Sequence, residues 1–421
     1  MNSIPPRPDN AQQATPNGGN RASGEPLRAA LGTFRRWFGA TYDLDVLQIV
    51  LATAAALQLD GHPPWLLVIG GSGAAKTETV AALYGAGDHV HVTSTITSDG
   101  ALLSATQKRD QERDRTGGLL VKIGETGLLV IKDVTSILSM DRTARGGVLA
   151  ALREVADGLW ERNVGTGGGR TLRWKGRIGC IGAVTTAWDR AHNVISQMGD
   201  RFVLVRLDST TGRREAALQA LANNGDERQM RDELAQAVGV VLAAVDPRRA
   251  RKPDAKEAAR LADVADLVTR IRTGVDHDAR GYVMDAQAPE MPTRFVAQLA
   301  QIYRGALSIG ADRGHALELA LRCARDTAPP RRLEVLQAVA ELASEAQACS
   351  TTDVTRHLDQ PRKSVERTLQ ELHLLGLLTA SGEEESGRTG ESRRRYRVAK
   401  DVDAWVLNPA RAVLAVDLDG W

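Results

Sequence analysis

The chain has 421 residues, enough for two or three domains with buried cores, and 54 Lys and Arg against 52 Asp and Glu leave it nearly neutral at +2, so any nucleic-acid surface must be local. Three widely spaced cysteines with no C-x-x-C pattern argue against a disulfide framework and for a reducing compartment, and eight scattered histidines suggest no zinc site. No apolar run approaches a membrane span and no basic-plus-apolar signal opens the sequence, so a soluble, cytoplasmic protein without a membrane partner is expected.

Residues 1–25, rich in Pro, Asn, Gly and Gln, have almost nothing to bury and read as a disordered tail. An N-terminal helical segment follows over 26–62, "LRAALGTFRRWF" and then "DLDVLQIVLATAAALQL", ended by His62-Pro63-Pro64. From 63 to 210, short β-branched runs alternate with helical patterns, which signals an α/β core with a mainly parallel sheet. Its first buried strand is 65–69, and "KTETVAALYG" predicts a helix opening at Lys76. Between them Gly70, Gly71, Ser72, Gly73, Ala74 and Ala75 form a loop close to G-x-x-x-x-G-K-[ST], whose backbone N–H groups cradle phosphates. Ala75 stands where the last glycine usually is. Lys76 is placed to neutralise the phosphates, Thr77 to hold Mg²⁺, and Glu78 completes the helix start.

A charged loop at 107–116 leads to a second buried strand, 128–131, which delivers Lys132 and Asp133 to its C-terminal tip, where ligands bind in open α/β sheets. An aspartate there holds Mg²⁺ or orients an attacking water, and the residues leave both roles open for Asp133. Segments 159–164 and 170–175 flank Gly165–Gly169 as a hairpin decorated by Arg162, Arg170, Arg173 and Lys175, with Trp160 and Trp174 among them. The hairpin runs into a core strand, 178–184, tipped by Thr185 and Thr186, whose hydroxyls can reach a γ-phosphate or its water. Arg201 stands just ahead of another buried strand. Residues 211–328 read as almost entirely helical.

Over 329–405 the pattern is helix, helix, helix, then a hairpin with a basic return strand, the order of a winged helix-turn-helix. Ser350 or Thr351 caps the second helix, and Pro361 is read as part of the first turn of the third. Arg362, Lys363 and Arg367 open that recognition helix, where side chains reach a major groove, and Arg393, Arg394 and Arg395 on the wing suit phosphates or the minor groove. Residues 406–421 are an amphipathic tail with no selected role. Cys180 and Cys323 read as small core residues, and His89 and His91 as structural.

Phosphate loop, acidic strand, hairpin, polar-tipped strand, Arg-Phe and helical lid, in that order, resemble an AAA+ ATPase. Within that class the chain is similar to the MCM-type helicases, whose loop reads G-D-P-x-x-A-K-S with alanine before the lysine, as at Ala75. Gly71-Ser72 replace that family's D-P, the acidic pair is K-D, and the polar tip is threonine where MCM proteins have asparagine. A compact form of this layout resembles replication initiator-helicases of bacterial mobile elements and prophages.

The resemblance implies a P-loop AAA+ core with a helical lid at 211–328 and a C-terminal winged helix, using ATP and Mg²⁺. It implies a hexameric homo-oligomeric ring with single-stranded DNA in the pore and duplex DNA at the winged helix. Lys76 would stabilise the β/γ-phosphates, Thr77 and Asp133 would hold Mg²⁺, and Thr185 would position the water. Arg201 would enter a neighbour's site as an arginine finger, and Arg294, in "PTRFVAQLAQIYRGAL", would be a second phosphate-sensing arginine. The 107–116 and 158–177 loops would line the channel, with DNA stacking on Trp160 or Trp174. The alternative is an ATP-gated DNA-binding regulator that does not translocate.

Overall fold

The computed structural model describes residues 24–105, 116–165, 170–196, 201–343, 347–382 and 394–409. The expected tail at 1–25 lies almost wholly outside them, as do most of the 107–116 loop and the C-terminal tail beyond 409. Helix α1 (Glu25–Phe38) is amphipathic and buries Leu27, Ala30 and Phe34. Helix α2 (Leu44–Ala55) begins at Asp43, whose side chain accepts the Val46 N–H, and buries every residue from Val46 to Ala55 because it is apolar on nearly all sides.

Strand β1 (Trp65–Ile69) leads to α3 (Lys76–Ala81), which tightens into a 3₁₀ turn over Ala82–Ala86. Then come β2 (Val90–Thr93), α4 (Asp99–Leu102) and a small ribbon of β3 (Ser104–Ala105) and β4 (Thr116–Gly117). After α5 (Leu119–Ile123) follow β5 (Thr126–Ile131), α6 (Thr135–Leu138) and α7 (Arg142–Ala156). The hairpin of β6 (Leu159–Val164) and β7 (Arg170–Lys175) precedes β8 (Arg177–Val184), α8 (Ala187–Ser196) and β9 (Phe202–Arg206).

Five of these strands make one all-parallel sheet in the order β2-β5-β8-β1-β9. Helices cover both faces, so the strands are continuous apolar runs rather than alternating ones. Successive residues of β1 divide between two cores. Leu66 and Val68 pack with α1, α2 and the C-terminal helices, whereas Trp65, Leu67 and Ile69 pack with α7 and the β6–β7 hairpin.

Five helices occupy most of 211–328: α9 (Arg213–Ala222), α10 (Glu227–Ala243), α11 (Ala255–Ile271), α12 (Thr293–Ser308) and α13 (Arg313–Thr327). The expectation of nearly continuous helix misses an antiparallel hairpin between α11 and α12, formed by β10 (Val275–His277) and β11 (Val283–Ala286). Strands of three and four residues are too short to display alternation in a sequence. Helix α12 crosses α2 at Gly305, where an added Cβ would lie 2.0 Å from the Ala52 carbonyl oxygen. Beside this crossing Gln301 and Arg304 donate to the Asp60 carbonyl at 2.7 and 2.9 Å. The N-terminal helices are thereby built into the main core.

The chain ends in α14 (Pro330–Leu342), α15 (Thr351–Leu358) and α16 (Arg362–Leu374), with β12 (Cys349–Ser350), β13 (Leu378–Ser381) and β14 (Arg395–Val398) in one antiparallel sheet, β14 central. Ser350 and Asp353 form a capping box at α15. Val365, Leu369 and Leu372 are the buried face of α16, and Pro361 stands one position outside it, as its N-cap. Glu371 of α16 is buried and accepts from Arg332 Nε at 2.9 Å, with His277 Nε2 of β10 also 2.9 Å away. Arg332 Nη1 reaches the Ile271 and Thr273 carbonyls at the end of α11 at 2.9 and 2.7 Å, so buried charge fastens this unit to the helices before it. All three cysteines are buried and free. Among the described residues no helix is long and apolar enough to cross a membrane.

Candidate nucleotide site and DNA-facing surfaces

The tips of β1, β8 and β5 lie side by side, with Ile69 opposite Val184 and Ile131 opposite Gly182. The loop 70–75 leaves the first of these tips. Gly70 N–H donates to the Val184 carbonyl at 3.3 Å, which ties the loop's start to β8. Its end is Ala75, at φ 55 and ψ 10, a left-handed residue directly before Lys76. The Lys76 side chain is buried, and its ammonium donates to the Gly71 carbonyl at 2.5 Å. Burial lowers the Lys76 pKa from its ordinary value, against the opposing pull of the nearby Asp133 charge. Thr77 is exposed at the helix start, while Glu78 is held by a bidentate Arg231 from α10, with Nη2 at 2.8 Å.

Asp133 stands exposed two residues past β5, its N–H fixed to the Ser94 carbonyl at 3.0 Å. Its Oδ1 accepts the Thr135 N–H at 3.0 Å. Thr135 then bridges to the next strand: its hydroxyl donates to Thr185 Oγ1 at 3.3 Å and accepts the Thr185 N–H at 3.1 Å. Lys76, Asp133 and Thr185 therefore share one edge, and β1 and β5, two sheet spacings apart, are separated by about 10 Å. The exposed Thr77 hydroxyl and Asp133 carboxylate are the hard oxygen donors that Mg²⁺ takes, so the residues present fit that ion. No protein-family model matches this sequence, and no curated protein matches it either.

The two expected trans-acting arginines lie elsewhere. Phe202 pairs with Trp65, so Arg201 sits at the opposite end of the sheet, roughly 20 Å along the strand direction from the loop. It bonds Asp157 at 2.8 Å, is largely buried, and its carbonyl accepts from Gln298 of α12 at 2.8 Å. Arg294, one turn earlier on α12, bonds Glu290 at 2.7 Å, and the same carboxylate holds Arg272. Neither reaches the phosphate loop of its own chain. Arg206 does stand at the loop end, but both its terminal nitrogens are bound to Asp189 at 2.9 and 2.7 Å.

The hairpin requires a correction. Trp160 pairs with Trp174 across the ladder and both are 7% exposed, in the core beneath the sheet; Trp174 Nε1 donates to the Gly124 carbonyl at 3.0 Å. Neither can stack on a base. Arg162 lies on the same face, two residues from Trp160, and is held by Asp99 at 3.1 Å and the Leu103 carbonyl at 2.9 Å. It fastens the hairpin to α4 instead of serving DNA. The outer face carries Arg173, exposed but paired with Glu161, and the exposed Lys175. The Arg170 side chain lies outside the described residues.

On α16, Lys363 is exposed, Arg362 half-buried, and Arg367 exposed with Glu371 3.9 Å away. Arg395 is exposed and donates to the Ala348 carbonyl at 3.2 Å; Arg394 is half-buried, and Arg393 lies outside the described residues. The pair sequence reasoning passed over is Thr135 with Asp133, although an aspartate with a threonine two positions on, just past a buried strand, is the signal of a turn closed by the carboxylate.

Proposed function

We propose that this chain is an ATP-hydrolysing DNA motor or replication initiator of the AAA+ type, akin to the MCM-like helicases, working as a ring of copies with a C-terminal winged helix. The observation that carries the reading is the shared edge of Lys76, Asp133 and Thr185, produced by the strand order β2-β5-β8-β1-β9. Lys76 gives up the Gly71 carbonyl to bind the β- and γ-phosphates of ATP, cradled by the N–H groups of 70–75. Thr185, aimed by Thr135, holds the attacking water in line. Mg²⁺, held by Thr77 and Asp133, supplies neutralisation of charge between the phosphates. Arg201 and Arg294, remote from their own loop, serve the loop of the next copy, and Arg201 must exchange Asp157 for phosphate to do so. Arg362, Lys363, Arg367, Arg394 and Arg395 meet duplex DNA.

Lys76→Ala should abolish ATP hydrolysis and unwinding of forked DNA while duplex binding by the C-terminal unit persists; retained turnover in that variant sinks the site assignment. A second reading, a nucleotide-gated DNA-binding regulator that does not translocate, is favoured by the buried Trp160 and Trp174, which leave the hairpin without a base-stacking grip. DNA-stimulated hydrolysis with no strand separation would select it.

A further inference from the structure

Helix α9 turns its polar side inward. Gln219 donates to the Arg36 carbonyl at 3.2 Å and Asn223 to the Trp37 carbonyl at 2.6 Å, which holds the helix against the end of α1. Leu218 and Leu221 are 51% and 73% exposed, and no residue of the helix is buried. An apolar stripe left in water costs about 25 cal/mol per Å² relative to a covered one, so such a helix is suited to a partner. The stripe borders the phosphate loop, because Ser209, four residues ahead of α9, lies against Gly71.

A second exposed patch borders the arginines. Tyr282, just ahead of β11, and Met284 within it are two residues apart and so share a face; each is 64% exposed. Met291 is 73% exposed and directly follows Glu290, the carboxylate that holds Arg272 and Arg294.

We propose that these patches are the two sides of one head-to-tail interface between copies of this chain, with Leu218 and Leu221 of one copy seated on Tyr282, Met284 and Met291 of the next. The inference rests on the nucleotide reading and names the surface that reading requires. One end of the chain carries Lys76, Thr77, Asp133 and Thr185, with its local arginine, Arg206, committed to Asp189. The other end carries Arg201 and Arg294. Each chain thus holds two half-sites facing opposite ways, and a heterologous contact completes one of them, whereas pairing like patch with like patch does not. Charge agrees with shape: Asp133 and Asp208 are exposed at the loop end, against two arginines at the other.

Leu221→Glu and Met284→Glu each spoil one patch at an exposed position where folding is little affected. Sedimentation velocity of the full chain with Mg²⁺ and a slowly hydrolysed ATP analogue should show wild type assembled and each variant monomeric. Both variants should still bind a fluorescent ATP analogue, with hydrolysis reduced by about 10³-fold. Mixed in equal amounts, they retain one good patch each and should form a dimer that regains hydrolysis at its one completed site. Leu218→Glu and Tyr282→Glu probe the same patches if either first variant misfolds. A monomeric wild type, variants that assemble normally, or a mixture that stays monomeric overturns the interface. Failure of the wild type to bind the analogue overturns the nucleotide reading instead, whatever the assembly state.

Discussion

Ala75 adopts a left-handed conformation that costs an L-residue with a side chain about 1–2 kcal/mol and glycine almost nothing. Replacing it by glycine removes that cost but adds about 0.4–1 kcal/mol of unfolded-chain entropy. The difference predicts that Ala75→Gly stabilises the protein by about 0.5 kcal/mol, read as a higher urea midpoint; a lower midpoint would mean the methyl group makes packing contacts that outweigh the strain. Lys76, Asp133 and Thr185 were legible because each ends a short apolar run, and a strand's last residue has few places to go. Trp160, Arg162 and Trp174 were misread from residue type, since tryptophan between arginines suits both a DNA grip and a core. Their alternation held the answer: Trp160, Arg162, Leu172 and Trp174 share one face of the hairpin and Glu161, Arg173 and Lys175 the other. An arginine on the apolar face must find a buried partner, and Arg162 finds Asp99.

Among the elements, the sheet strands and the helices that pack on them were readable from apolar runs and caps, whereas the hairpin of β10 and β11 was not, because three or four residues carry no period. Nor does sequence show which helices cross closely. At Gly305 two effects of opposite sign compete. Alanine in place of glycine favours a helix by about 1 kcal/mol, but its Cβ would meet a backbone oxygen of α2 at 2.0 Å, a clash no side-chain rotation relieves. Overpacking of this kind costs about 1–3 kcal/mol. Gly305→Ala should therefore destabilise by about 1–2 kcal/mol in denaturant unfolding, and a stabilised variant would show that α12 can shift off α2.

Across the whole molecule, the attachment of the C-terminal unit depends on residues that no local pattern links: Arg332, Glu371 and His277 come from three separate elements. Glu371→Gln leaves Arg332 buried without its counter-charge, a loss of about 3–5 kcal/mol when a buried pair is broken. Hydrogen exchange should then quicken in α14 and α16 while β1 and the loop 70–75 keep wild-type protection; equal loosening of both regions would contradict a separate attachment. The same long-range logic governs how the protein is made. Helix α2 is apolar on nearly every side, and the helix that covers it reaches Asp60 from Arg304, 244 positions later. At about 5–20 residues per second, a ribosome needs roughly 12–50 s to supply that cover. During this interval α2 is an exposed hydrophobic segment on a nascent chain, and a chaperone that holds such segments becomes part of the route to the folded state.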